Sequence, residues 1–260
     1  MVGAIRAPLF VPANRPERFA KAAASGTDAV ILDLEDAVAV DAKDAARAAL
    51  TKDFTALPVI VRINAQGTPW HDADMAAVAA LHPAAVILPK AEDAGLAASA
   101  AAILGVPVIA LVESARGLAQ ARAIATAPGV VRLAFGSVDF CADLGCAHLR
   151  EALLPARAEL VLASRLGGIA APIDGVTVQL DDPGASHDDA AQARALGMTG
   201  KLCIHPRQVA EVRRAFAPTD AERDWARRVI ASGEGAVSVD GAMVDEPVRI
   251  RARAILSDAG

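Results

Sequence analysis

Eight short apolar runs, separated by alanine-rich stretches, constrain this chain more than any other feature. The runs are PLFVP (8–12), AVILDLE (29–35), PVIVRIN (58–64), AAVILPK (84–90), PVIALVES (107–114), VVRLAFGSVD (130–139), GVTVQL (175–180) and GKLCIH (200–205). Most are continuously apolar rather than alternating, as expected of parallel strands covered on both faces. The stretches between them, at 15–25, 37–50, 72–81, 92–104, 115–126, 151–165, 188–196 and 206–216, are rich in good helix formers. Asp72, Ser114 and Asp188 stand where helix caps belong. Eight strand–helix pairs predict an α/β fold, a (β/α)₈ TIM barrel, occupying residues 1–216 as the catalytic domain. An open doubly wound sheet is the rival. It usually places a glycine-rich phosphate turn after its first strand, and PANRPERF contains no glycine. Residues 217–260 exceed the eightfold unit and read as a helical extension, with a helix at 219–234, the segment GAVSVDGAMVDEPV and a last helical stretch. It is expected to pack at a subunit interface.

Composition narrows the function. The net charge of −5 gives no overall basic field for nucleic acid or an anionic membrane. With 6 Phe, 2 Trp and no Tyr, the composition argues against a base-stacking platform and excludes phenol-based chemistry. Cys141, Cys146 and Cys203 have neither zinc-site spacing nor the number for a disulfide framework, so they read as small buried hydrophobes in a reducing compartment. Pro and charged residues interrupt every apolar run well short of the ~18 residues of a membrane helix, and a cytoplasmic protein is expected. The phosphate-loop, nucleophile-elbow, zinc-protease and complete dinucleotide motifs are all missing, and the five histidines show no metal-ligand spacing.

Barrel active sites lie at the C-terminal ends of the strands. Those positions hold Asn14; Asp33, Glu35 and Asp36; Arg62 and Asn64; Lys90; Glu113; Ser137 and Asp139; Gln179; and His205. Some of these groups could be salt bridges bracing the mouth, but a polar ring at eight consecutive strand ends reads as a site. Glu113 and Asp139 end neighbouring strands without a nearby His or Cys, which suits Mg²⁺ or Mn²⁺. The pair could instead be held by Arg62 and Lys90, or serve as a glycosidase acid and nucleophile, although the few aromatics argue against a sugar site. Arg62 could clamp a carboxylate or enolate oxygen, and backbone amides at Gly136 and Ser137 could receive a substrate carboxylate. Cation, guanidinium and backbone donors converging on one point describe enolate stabilisation, hence carbon–carbon chemistry next to a carbonyl.

LFVPANRPERFAKA, DAVILDLEDAV, VRIN, VILPKAE, ALVESARGL, FGSVDFCADLG, PIDGV, GKLCIHPRQV and DGAMVDEPV, in that order, closely resemble the HpcH/HpaI aldolase–citrate lyase superfamily, in its citrate lyase beta subunit-like branch. One departure is Ala13, where the family's first motif has glycine. The resemblance implies a (β/α)₈ barrel, Mg²⁺, trimers or hexamers, and cleavage of a 3-hydroxyacyl-CoA thioester through an enolate. Citryl-CoA giving oxaloacetate and an acetyl thioester is the leading reaction implied. Malyl-CoA or citramalyl-CoA lysis, malyl-CoA hydrolysis, and aldol cleavage of free 2-keto-4-hydroxy acids are the alternatives. It further implies metal ligands at Glu113 and Asp139, with Glu113 also touching substrate, and substrate binding by Arg62. Asp36 would brace Arg62 or the metal's waters, and Asp245 would act as acid or base from a neighbouring subunit. Arg15, Arg18 and Lys21 could offset the charge of CoA, and a carrier protein is a further possible partner.

Overall fold

The computed structural model describes residues 2–257. The chain divides into two compact units, Met1–Arg213 and Arg214–Gly260.

In the first unit, β1 (Leu9–Pro12), β2 (Val30–Asp33), β3 (Val59–Arg62), β4 (Ala85–Leu88), β5 (Val108–Val112), β6 (Val130–Phe135), β7 (Ala170–Asp174) and β8 (Gly200–Lys201) form one parallel sheet in sequence order. The sheet closes on itself. Lys201 N donates to Arg6 O at 2.8 Å, Cys203 N to Pro8 O at 2.9 Å and Phe10 N to Cys203 O at 2.9 Å, so Leu9 and Cys203 bridge in parallel. Between the strands lie α1 (Phe19–Ala23), α2 (Lys43–Ala48), α3 (His71–Leu81), α4 (Ala94–Leu104), α5 (Ala115–Ala125), α6 (Ser137–Leu144), α7 (Arg150–Leu166) and α8 (Pro183–Ala195), and α9 (Pro206–Phe216) follows β8. The expected (β/α)₈ barrel is therefore present. The strand interiors are continuously buried because sheet and helices cover both faces. Ile31, Ile60, Ile87, Ile109 and Leu111 belong to the central core.

The N-terminal end of the barrel is sealed by Arg132, which is fully buried on β6. Its guanidinium donates to Ala171 O (2.7 Å), Ile5 O (2.7 Å), Val2 O (3.1 Å) and Thr199 Oγ1 (2.8 Å). Burial without an ion-paired carboxylate pulls its pKa down to about 10. The chemistry therefore has only the other end, where the strands point their C-termini.

Two strands differ from the sequence reading. β6 ends at Phe135, and Ser137 and Asp139 open α6 instead of continuing the strand. β7 is AAPID at 170–174, and the β-branched run GVTVQL lies beyond it, with Val178 and Leu180 exposed. Gly175 follows the strand directly, and a Cβ there would collide with Ser137 Oγ. The polar group closing the seventh strand is thus Asp174, not Gln179. Asp174 is fully buried and accepts from Arg157 Nε at 2.7 Å and Lys201 Nζ at 2.8 Å, tying α7, β7 and β8 together.

The second unit holds α10 (Asp220–Ala231), the antiparallel strands β9 (Val237–Val239) and β10 (Ala242–Val244), and α11 (Glu246–Ser257). A reciprocal capping box between Thr219 and Glu222 starts α10. Ala226, Val229, Val244, Ala252 and Ile255 form its small core. Among the described residues, no helix is long and apolar enough to cross a membrane.

Burial works against the Asp174 charge, but Lys201 and Arg157 outweigh it and hold the carboxyl below its usual range. The stabilisation is therefore complete at neutral pH and is lost as pH falls below about 4, the ordinary range of an unfolded Asp. Asp174→Asn leaves two buried cations facing a neutral amide. Urea unfolding at pH 7 is expected to show a loss of ~3–5 kcal/mol.

Candidate active site

Most charged residues at the barrel mouth stand at or just beyond a strand end, with Lys43 on α2 and Asp139 in the first turn of α6. Asp33, the last residue of β2, accepts from Arg62 Nε and Nη2, both at 2.7 Å, across the β2–β3 register that sets the two residues side by side. The remaining acceptor capacity of Asp33 holds its own loop, taking Glu35 N at 3.0 Å and Ala37 N at 3.1 Å. Lys43, buried on α2, reaches the same loop from the other side. Its ammonium donates to Leu34 O, Glu35 O and Asn64 Oδ1, each at 2.7 Å.

Arg62 is buried, and its guanidinium lies 4.8 Å from the centre of the Phe10 ring. Its Nη1 stands 3.0 Å from Glu35 Oε2 and 3.3 Å from Asp36 Oδ2. The side-on fork of Arg62 is thus occupied by Asp33, and a ligand can use only the outward Nη1/Nη2 edge. Asp36 touches Arg62 but is largely solvent-exposed, so the main brace is Asp33.

Glu113, just past β5, is buried, and its Oε1 accepts the backbone N–H of Lys90 at 2.7 Å. Lys90 adopts a left-handed φ of +47° to aim that N–H, an unusual conformation for a residue with a side chain. On the other side of Glu113, a Cβ on Gly136 would collide with the carboxylate. Burial, followed in effect by the nearby Asp139 charge, pushes Glu113 up to about 7 despite the Lys90 N–H. Asp139 is half-buried in the first turn of α6. The first hydrogen bond of that helix is Phe140 N to Gly136 O at 2.9 Å, which leaves the amides of Ser137, Val138 and Asp139 without intrahelical acceptors. The buried Ser137 side chain is held by His148 Nε2 at 2.9 Å.

A cavity of about 340 Å³ gathers Arg62, Glu113, Gly136, Ser137, Asp139 and Asp36. A larger groove of about 750 Å³ runs between α3 and α4, but it holds none of these groups. Asp245 belongs to the second unit. There its Oδ1 lies 3.4 Å from Val248 N at the start of α11.

Glu35 is the residue that sequence reasoning left among the strand-end groups without a role. Its Oε2 is buried without a hydrogen bond, and burial first, then Asp36, Glu113 and Asp33, push the carboxyl up to about 8 against the pull of Arg62. The signal was the run DLED itself, which sets three carboxylates within four residues of a strand end.

With every group ionised, the five carboxylates Asp33, Glu35, Asp36, Glu113 and Asp139 face three cations, Arg62, Lys43 and Lys90, and two negative charges remain. That deficit, the raised Glu113 and an all-oxygen donor set fit one hard divalent cation. Among the described residues, no group of three or more His, Cys, Asp or Glu is arranged to hold a metal. Two carboxylates are what Mg²⁺ commonly takes from a protein, keeping its other positions for water and substrate.

A closed (β/α)₈ barrel with a surplus of carboxylates at the strand C-termini is the layout of a barrel enzyme, and the oxygen donors there suit a hard divalent cation. Residues 6–206 match the HpcH/HpaI aldolase/citrate lyase family, and the chain belongs to it. A citrate lyase subunit beta-like protein of Deinococcus radiodurans is 40% identical over 276 residues, covering 97% of this chain and 96% of the relative. The crystal structure of CitE from Mycobacterium tuberculosis with magnesium, acetoacetate and coenzyme A superposes with a TM-score of 0.90 at 40% identity, covering 100% of both chains. A citrate lyase beta subunit from the same organism, complexed with oxaloacetate and magnesium, matches at 40% identity and a TM-score of 0.75, covering 84% of this chain and 99% of the other.

Glu113→Gln and Asp139→Asn each replace a charged oxygen donor by a neutral one of the same size. Titration calorimetry is expected to show Mg²⁺ affinity lowered by at least ~10-fold in both, since even outer-shell changes have that effect. Unchanged affinity in both variants would place the cation elsewhere.

Proposed function

We propose that this protein is a Mg²⁺-dependent carbon–carbon lyase that splits a 3-hydroxy-3-carboxyacyl-CoA thioester into a 2-keto acid and an acetyl thioester through an enolate. The observation that carries this reading is the convergence of Arg62, Glu113, Asp139 and the free amides of α6 on one cavity at the barrel mouth. Magnesium-bound relatives support it. Mg²⁺ or Mn²⁺ held by Glu113 and Asp139 would supply a Lewis-acid pull on the substrate's hydroxyl and carboxylate oxygens.

The chain's own groups do the rest. The amides of Ser137 and Val138, at the positive end of α6, receive the carboxylate beside the reacting carbon. The outward edge of Arg62 faces the thioester oxygen. When the hydroxyl proton leaves to water at the open mouth and the bond between C2 and C3 opens, C3 becomes the keto carbon and the electron pair of that bond moves through the enolate onto the thioester oxygen, where Arg62 meets it. Asp33 and Phe10 hold the guanidinium in place before the charge develops, and Asp36 braces Nη1. The enolate carbon takes a proton from Asp245 of a neighbouring copy in a trimer or hexamer.

The CoA arm has a path as well. Arg18 and Lys21 line a cavity of about 320 Å³ that shares Phe10 and Ile204 with the catalytic cavity. Arg15 stands beside them, with Glu17 at 2.6 Å.

The direct test offers the Mg²⁺-loaded protein citryl-, citramalyl- and malyl-CoA alongside free hydroxy-keto acids and follows keto-acid release. Thioester cleavage is expected, and activity on free acids alone would overturn the thioester reading. Arg62→Lys keeps the charge but loses the planar fork, so kcat/KM is expected to fall by ~10²-fold or more. Asp245→Ala and Glu113→Gln, each inactive alone, are expected to regain activity when dissociated and reassembled together. Random exchange in a closed ring leaves about a quarter of shared sites with both residues intact. A mixture that stays inactive despite exchange would put Asp245 outside the reaction or in its own chain.

A further inference from the structure

At its far end, α6 carries a pair of sulfurs that the proposed reaction does not use. The helix stops at Gly145, which takes a left-handed φ of +68°, and the N–H groups of Gly145 and Cys146 both donate to Cys141 O, the latter at 3.0 Å. This is a Schellman ending. In it the residue three before the last helical one meets the second residue beyond the helix. Here both of those residues are cysteines. The Cys146 N–H bond to Cys141 O keeps their Cα atoms within about 7 Å, the reach of a disulfide without backbone movement. Their side chains are already hydrogen-bonded to each other.

The two sulfurs differ in access. Cys141 is buried, whereas Cys146 is only partly covered and lies in a segment, 142–150, whose other residues are all exposed. Cys146 is therefore not the buried hydrophobe expected from its sequence, and it is the thiol that a small oxidant meets first. The frame around the pair is fixed on both sides. Ala115 N donates to Asp143 Oδ2 at 2.7 Å, tying the end of α6 to the start of α5. His148 Nε2 lies 2.9 Å from Ser137 Oγ, tying the segment after Cys146 back to the start of α6. Asp143 and His148 are thus engaged elsewhere, and among the described residues no group of three or more His, Cys, Asp or Glu is arranged to hold a metal. A dithiol without further ligands has thiol–disulfide exchange open to it rather than zinc binding.

We propose that Cys141 and Cys146 form a redox site at the C-terminal end of α6, closed to an intramolecular disulfide by a small-molecule disulfide and reopened by excess thiol. In the first step Cys146 Sγ attacks one sulfur of the oxidant, whose S–S bond breaks to give a mixed disulfide and one thiolate. In the second, Cys141 Sγ attacks the Cys146 sulfur, the mixed S–S bond breaks and a second thiolate departs. Each departing thiolate takes up the proton of the cysteine that displaced it. Two protein thiols have then lost two electrons, and one small disulfide has become two thiols. Burial, and then the bond with Cys146, push the Cys141 thiol up to about 11, so it enters second. The crosslink joins α6, whose first turn holds Ser137 and Asp139, to the segment that carries His148. It braces from behind the helix that presents the site's amides.

Full-length protein is incubated with oxidised glutathione under native conditions, remaining thiols are alkylated, and intact mass and peptide masses are read. The expected result is the loss of two hydrogen atoms from the single peptide that holds both cysteines, with Cys203 still a thiol and full reversal by dithiothreitol. Cys203 is the internal control, because it is fully buried where β8 closes on β1. Amide hydrogen exchange over 145–149 is expected to slow roughly fivefold or more in the oxidised form. Cys141→Ala is expected to stop with one glutathionyl group on Cys146, and Cys146→Ser to take up none. Cys141→Ser replaces the alanine variant should that one misfold. Unmodified protein that stays reduced, that keeps a glutathionyl group, or whose disulfide includes Cys203 or a second copy overturns the proposal. Unchanged exchange over 145–149 despite the disulfide overturns the brace. None of these readouts passes through the catalysed reaction, so the lyase reading stands or falls separately.

Discussion

The two parallel hydrogen bonds between Asp33 and Arg62 organise the working end of this molecule. Parallel strands in register bring the last residues of β2 and β3 to the same height, so an aspartate and an arginine there meet without any loop adjustment. A guanidinium or a carboxylate buried at that depth without partners would be costly. Paired, they become a fixed base from which the second edge of Arg62 can serve a ligand. The same carboxylate takes two loop amides, so the peptide that presents Glu35 and Asp36 hangs from it as well. One ion pair therefore sets the arginine, the loop and the surplus of negative charge around them.

That surplus distinguishes a site from a brace. Where Asp174 braces the barrel, two cations, Lys201 and Arg157, hold a single carboxylate, and no negative charge is left over. At the mouth the carboxylates outnumber the cations, and two of them respond by rising to about 7 and about 8. A fold gains nothing from such an arrangement by itself. One divalent cation would complete the charge balance, which would couple its binding to the integrity of the site.

Much of this was legible in the sequence, for physical reasons that differ from residue to residue. Arg62 and Glu113 could be placed because an apolar β-branched run leads straight to each of them. β7 was misplaced because its residues, AAPID, are small and include a proline, while the VTV that follows has stronger strand character. What makes AAPID a strand is its pairing with β6 and β8, a long-range fact that no local propensity carries. Asp33 was visible as a polar strand end, but its partnership with Arg62 depends on register across 29 residues. Lys43 sits in an ordinary amphipathic stretch, and nothing local marks it as buried. Position along a strand could be read from the pattern, whereas pairing could not.

Glu113 shows how little of the site's geometry resides in side-chain freedom. One oxygen is held by the Lys90 amide, which is aimed by a left-handed backbone at a non-glycine residue. The other side is open only because Gly136 has no Cβ to intrude. Both devices belong to loops leaving neighbouring strands: the left-handed backbone at 90 would suit Gly better than Lys, and the space at 136 admits no Cβ at all. A strained lysine and an obligatory glycine on either side of one carboxylate therefore mark a position that backbone geometry holds for its chemistry. The same backbone turn at Gly136 starts α6 and leaves its first amides free, so one turn of the chain makes room for the Glu113 carboxylate and presents N–H donors beside it.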